Sequence, residues 1–213
     1  MERNPAIPFT YKYSQPFEYR FSLDSIEMAW VVSQEFAKLP SEQLAEMKVL
    51  DLCAGCGVIG FELNFHIPSL KKIDFVEVQK NYAEHFEANR DLVKNEGQFE
   101  FRSMNYDQLL VPTFQNRYDL ILSNPPYFRR EQGKLSPSDF KNRCRFFIDS
   151  TFEKLIESID HCLKPTGEAF LLLRSLEEHD IDSLQELRDL IRGKLKCENL
   201  AMIRGTYLLK LYR

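Results

Sequence analysis

Three residues with acidic or amide side chains, Asp51, Glu77 and Asn124, stand at the ends of apolar runs, where they could do chemistry. Asp51 closes a run that begins at Lys48, and Gly55, Gly57 and Gly60 follow before an apolar helical segment. Glycines in a strand-to-helix turn let the backbone bend sharply and approach a ligand that a Cβ would exclude, with the helix amide groups facing it. Glu77 ends a second run about 20 residues past the turn, where a carboxylate accepts both hydroxyls of a nucleoside ribose. A further run, Tyr118 to Ser123, leads into Asn124-Pro125-Pro126-Tyr127. Two prolines cannot continue a strand ladder and force the chain into a stiff turn. Asn124 then offers a side-chain oxygen, Pro125 a backbone oxygen and Tyr127 a flat aromatic face. Two acceptors and a stacking ring suit a planar group bearing an NH₂.

The glycine turn and Glu77 alone would also suit a nicotinamide dinucleotide. Asp51, four residues ahead of the first glycine, would repel a pyrophosphate but could hold a cationic amino-acid group, which favours S-adenosylmethionine. Tyr106 is a candidate for stacking near the adenine of such a cofactor. Trp30 reads as core or as a lid over it. Cys53 and Cys56 have C-x-x-C spacing, but no second Cys or His pair follows at finger-like spacing, and the four histidines are dispersed; no metal is expected.

These residues need elements to position them. Apolar runs predict strands at 48–53, 72–78, 98–103, 118–123, 168–174, 197–203 and 206–212. Helical patterns lie near 23–39, 58–65, 80–95, 150–163 and 180–192, with Ser22 as N-cap and Pro40 as terminator of the first. Ser150 with Glu153 forms a capping-box signature for the fourth, and Gly193 is a fitting stop for the fifth. Near-continuous apolar strands alternating with helices predict an α/β fold, a doubly wound, mostly parallel sheet. The last two strands are joined only by a short turn around Gly205, so they must pair as an antiparallel C-terminal hairpin. Residues 1–20, rich in proline and aromatics, read as an extended arm. The expected division is an N-terminal arm and helix over 1–40 and a main domain over 41–213.

The chain has 213 residues, 28 Lys+Arg against 32 Asp+Glu, for a formal charge of −4. That bulk acidity argues against coating nucleic acid by general charge, not against a local basic site. No apolar run is long enough to cross a bilayer and no signal-like segment opens the sequence, so the cytoplasm is the expected address. Five scattered cysteines suit a reducing compartment. No feature speaks to oligomerisation, and a monomer is the working expectation.

The glycine turn together with Asn124-Pro125-Pro126-Tyr127 resembles the amino-group class of Rossmann-like S-adenosylmethionine methyltransferases, which act on adenine, cytosine or glutamine amide nitrogens. Tyr19-Arg-Phe-Ser-Leu-Asp-Ser25 further resembles a segment of the bacterial tRNA(Val) adenine-37 N6-methyltransferase family. The resemblance implies that this segment, with Arg20 and Ser22, packs over the cofactor. It also implies that Asp51, Cys53 (where the family has glycine), Gly55, Gly57, Glu77 and Asn124 hold the cofactor. The position after the third strand, usually Asp in such enzymes, falls on Asn105, with Asp107 two residues on; either reaches the cofactor adenine. Catalysis falls to Asn124, Pro125, Pro126 and Tyr127, with Tyr127 expected to tolerate Phe better than Ala.

Residues 128–145 carry Arg129, Arg130, Lys134, Lys141, Arg143 and Arg145 against Glu131 and Asp139, a net +4 that leaves −8 for the rest. Lacking a period, the stretch reads as a mobile loop beside the target pocket and a candidate RNA contact; a solvated charged loop is the plain alternative. The leading expectation is adenine-N6 methylation of structured RNA, most naturally tRNA. Glutamine methylation in a release factor or ribosomal protein uses the same turn, but those enzymes usually carry an N-terminal helical domain, and about 47 residues precede Lys48. DNA methylation, a catalytically inactive cofactor- or RNA-binding partner and a nicotinamide oxidoreductase stand further off.

Overall fold

The computed structural model describes residues 10–93, 97–174, 176 and 182–213. Seven strands form one sheet: β1 (Lys48–Leu52), β2 (Lys72–Glu77), β3 (Gln98–Ser103), β4 (Tyr118–Ser123), β5 (Leu163–Arg174), β6 (Lys196–Ile203) and β7 (Thr206–Tyr212). Their spatial order is β3-β2-β1-β4-β5-β7-β6. The pairs from β3 to β5 are parallel, and β7 lies antiparallel to both β5 and β6. The predicted hairpin is present. Arg204 and Gly205 form its two-residue turn with φ of +49° and +86°, the left-handed pair whose twist matches the flanking strands.

Alternate residues of the strands face two cores. On one face Val49, Phe75, Leu120, Leu122 and Phe170 pack with residues of α1 (Leu23–Phe36), α3 (Val58–His66) and α4 (Ala83–Arg90). On the other, Leu50, Leu52, Ile121 and Leu171 pack with α6 (Phe152–Cys162) and α7 (Ser183–Ile191). The chain leaves β1 toward β2 on one side and β4 toward β5 on the other, so a crevice opens between the carboxyl ends of β1 and β4, where open α/β sheets bind ligands. Asp51, Glu77 and Asn124 lie at that end of the sheet. No helix among the described residues is long and apolar enough to cross a membrane.

Several boundaries differ from expectation for local reasons. The first helix stops at Phe36, and Pro40 is the N-cap of a short helix α2 (Ser41–Glu46) rather than a terminator. Ser22 takes the extended N-cap conformation but its side chain makes no cap bond. The predicted 80–95 helix is a 3-10 turn at Lys80–Tyr82 followed by α4, and residues 94–96 lie outside the described ones. α6 is capped by Thr151, whose side chain accepts from the Lys154 N–H, while Ser150 donates to Asp107 instead. β5 begins at Leu163, five residues earlier than predicted, because its start carries Pro165 and Gly167 and a register shift against β4. The basic stretch is not structureless. It holds α5 (Asp139–Arg145), capped by Ser138, which accepts from the Lys141 N–H.

Candidate functional site

A cavity of about 510 Å³ opens at the carboxyl ends of β1, β2 and β4. The turn after β1 supplies Cys53, Ala54, Gly55 and Cys56 to its wall. Cys53 has φ of +61° and Gly55 +55°, so the turn is left-handed at both; the first is the position where the resembling enzymes have glycine. Gly55 is the glycine that faces the cavity. Gly57 and Gly60 answer to packing: a Cβ would stand 2.6 Å from the Phe61 ring at Gly57 and 2.4 Å from the Phe75 ring at Gly60. Gly57 is not among the cavity-lining residues.

Glu77 lies at the end of β2 with its carboxylate on the cavity wall. Oε2 accepts the Gly55 N–H and Oε1 the Gln79 N–H, both at 2.9 Å. Each oxygen keeps a lone pair free. Burial, more than these bonds offset, raises its pKa. Asp51 sits behind the turn and does not line the cavity. It is fully buried; Oδ2 accepts the Gly60 N–H at 2.9 Å, and Oδ1 has no hydrogen-bond partner. Burial pushes its pKa up to about 8, with Glu77 adding to the rise and the Gly60 N–H opposing it. An unfolded aspartate titrates near pH ~3.9, so the folded protein holds the extra proton between the two values. Asp51 therefore contributes stability that is full below about pH 4 and is lost as the pH rises through about 8. Glu77 acts in the same direction. The melting temperature is expected to fall from pH 5 to pH 8, and Asp51→Asn to fall less steeply; an equal slope in the variant contradicts this origin.

At the end of β4, Asn124, Pro125, Pro126 and Tyr127 all line the same cavity. The Asn124 amide is held at both ends: Nδ2 donates to Ser25 Oγ at 3.2 Å, and Oδ1 accepts from the Tyr127 hydroxyl at 2.6 Å. Among the described residues the Pro125 carbonyl accepts no hydrogen bond. The side-chain oxygen and a neighbouring backbone oxygen are thus presented by a stiff turn whose amide cannot spin.

The third wall comes from the end of β3 and from residues 143–150. Asn105 lines the cavity and caps the 3-10 turn Tyr106–Leu109: its Oδ1 accepts the Asp107 N–H at 3.1 Å, and its Nδ2 donates to the Asp149 carbonyl at 2.8 Å. Asp107 is turned to Ser150, whose hydroxyl donates to it at 2.5 Å, and it is not on the cavity wall. Tyr106 lines the cavity and donates to the Thr151 carbonyl at 2.9 Å. Ser22 lines it too, whereas Arg20 is exposed and off the wall. The N-terminal segment is anchored by Thr10 and Tyr13, both donating to the buried Glu62 of α3.

The six basic residues of 128–145 divide. Arg143 and Arg145 line the cavity; Arg129 pairs with Glu186, Arg130 and Lys134 are exposed, and Lys141 is half-buried off the wall. Arg143 is bound by Asp149, Nε donating at 2.9 Å and a terminal nitrogen at 2.7 Å. Sequence reasoning passed over Arg174, and placed Ser25 only as the end of the segment expected over the cofactor, not as a partner of Asn124. Arg174 ends β5, the parallel neighbour of β4, so the strand-end position itself was the available signal.

Residues 32–191 match the family described as the methyltransferase small domain. A ribosomal protein uL3 glutamine methyltransferase of Bradyrhizobium diazoefficiens is 30% identical over 126 residues, 59% of this chain and 37% of that protein. A tRNA1(Val) (adenine(37)-N6)-methyltransferase of Aeromonas hydrophila is 31% identical over 127 residues, 59% of this chain and 51% of that one. The chain therefore spans about half or less of the length of these curated relatives. The solved structure of a ribosomal protein L11 methylase from Lactobacillus delbrueckii subsp. bulgaricus superposes with a TM-score of 0.58 at 13% identity, covering 90% of this chain and 80% of that one. At that identity the likeness speaks to the fold.

Proposed function

This chain belongs to the methyltransferase small domain family, and from that premise we propose that it is an S-adenosylmethionine-dependent N-methyltransferase acting on the exocyclic N6 of adenine in RNA, with tRNA the favoured substrate. The observation that carries the reading is that the Asn124–Tyr127 turn and the Glu77 carboxylate open on one cavity. The site also fits the methyl donor chemically. Glu77 has lone pairs free for two ribose hydroxyls, and its carboxyl on the wall beside the glycine turn suits a cationic ligand better than a pyrophosphate. Asn105 and Tyr106 would border the adenine, Gly55 and Cys53 the chain carrying the ammonium, and Ser22 the outer side. Of the expected 1–40 segment, the described residues 10–40 would then pack over the cofactor, and 41–213 would serve as the methyltransferase domain; residues 1–9 lie outside the described ones.

When bound, the donor supplies a methyl group already activated by its sulfonium. The protein has to align, exclude water and prepare the amine. An exocyclic amine is a poor nucleophile because its lone pair is delocalised into the ring. Asn124 Oδ1 and the Pro125 carbonyl, accepting its two N–H bonds, favour a pyramidal nitrogen with the lone pair free to attack. Tyr127 offers its face to the base. Its hydroxyl also holds Asn124 Oδ1, so a Phe at this position keeps the ring but loses that bond. Tyr127→Phe is expected to lose about tenfold in kcat through that lost bond. Tyr127→Ala should lose roughly 100-fold or more, because base stacking goes as well. Methyl-transfer rates of the two variants check this, and a Phe variant as fast as the parent would leave the role to the ring alone.

A glutamine side chain presents the same planar NH₂, and one relative carries that activity in its name. Incubation with labelled S-adenosylmethionine and separate pools of tRNA, rRNA, DNA and protein tests the reading. Label in the tRNA pool supports it; label in protein alone overturns the substrate, and label in no pool overturns the enzyme.

A further inference from the structure

Beyond Tyr127 the cavity rim carries two guanidinium groups with no ion-pair partner among the described residues. Arg145, the last residue of α5, lies 5.7 Å from the ring centre of Phe128 and 5.4 Å from that of Phe146. Arg174, the last residue of β5, lies 6.0 Å from the same Phe128 ring. Both line the cavity, and Phe128 directly follows the Asn124–Tyr127 turn. Their neighbours behave differently, since Arg143 is spent on Asp149 and Arg129 on Glu186. Asp24 feels the charge of Arg174 but faces Arg204 at 3.3 Å.

An aromatic ring engages the face of a guanidinium and leaves its N–H edge for a planar or tetrahedral oxyanion. Two like charges held beside one ring repel each other at a partly desolvated mouth, and a bound anion removes that cost. Phosphodiester oxygens match the donor fork of arginine, and every nucleotide inside a strand carries such a group on either side of its base. A glutamine in a peptide brings no anion with it. We propose that Arg145 and Arg174 hold the phosphodiester groups flanking the nucleotide whose amine is presented to Asn124, and so select an RNA strand over a peptide. This rests on the amine-gripping reading of the Asn124 turn.

The test uses the full chain, its Arg145→Gln/Arg174→Gln form, and Arg174→Gln alone, an exposed position whose loss leaves the fold intact. The double variant is expected to raise the KM for tRNA about tenfold or more and to make the salt dependence of RNA binding shallower by about 0.7 per phosphate lost, with donor affinity within about twofold. The single variant should show part of each change. Replacing both by lysine should restore most of the salt slope without restoring full affinity, because lysine keeps the charge and loses the fork. An unchanged KM and salt slope in variants of an enzyme that methylates tRNA overturns the phosphate site alone. An unaltered chain that labels protein and no RNA overturns the substrate reading and the site with it.

Discussion

Asn124→Ala is expected to lower kcat for methyl transfer by about 100- to 1000-fold while leaving donor affinity within about threefold, as removal of one preorganised polar group at a reacting centre does. The amide is fixed between Ser25 and Tyr127, so its oxygen is set before substrate arrives and no reorganisation is needed at the moment of reaction. Alanine removes the fixed side-chain acceptor and frees the Tyr127 hydroxyl, leaving the Pro125 carbonyl without its partner in gripping the amine. Asn124 is half-buried, and Ser25 and Tyr127 line the same cavity, so the hydroxyls it leaves behind border open space and stability should change little. Turnover within tenfold of the parent, in a variant that binds donor normally, contradicts the assigned role.

The second large effect belongs to Glu77, and it falls on binding rather than on turnover. Glu77→Ala is expected to raise the dissociation constant for S-adenosylmethionine by about 100-fold or more, since hydrogen bonds to a charged group contribute about 1.5–3 kcal/mol each and two are lost. The same change removes the acceptors of the Gly55 and Gln79 N–H groups, so the turn that borders the cavity loosens and the melting temperature drops. Glu77→Gln separates the two contributions. It keeps the shape and one acceptor, and should weaken donor binding by an intermediate factor with a smaller loss of stability. Calorimetric titration of the three proteins checks this, and a donor affinity unchanged in Glu77→Ala would place the ribose elsewhere.

The strands were legible because burial on both faces leaves a near-continuous apolar run, as in Tyr118–Ser123, and because Gly205 marks a turn too short for a crossover. The start of β5 was not, since Pro165 and Gly167 interrupt the pattern although the backbone still pairs. α5 has no apolar period. It is held by its Ser138 cap and by Asn142, which bonds the Ser136 backbone at both N–H and carbonyl. Within the site, Asp51, Glu77 and Asn124 stood out because a polar residue ending an apolar strand is visible in sequence. What they do there was less visible: Asp51 backs the turn, and Gly57 and Gly60 make room for Phe61 and Phe75 rather than for a ligand. Arg174 carries no local mark and reaches Phe128 only through the β1-β4-β5 order of the sheet; Ser25 ends the Tyr19–Ser25 segment and meets Asn124 from the first turn of α1.

The identity of the methylated product decides whether the Asn124 turn presents the exocyclic amine of adenine to the methyl donor. RNA labelled by the purified protein, digested to nucleosides and resolved by mass spectrometry, should contain N6-methyladenosine. Label on a ring nitrogen, on a ribose oxygen or on a protein glutamine would contradict it.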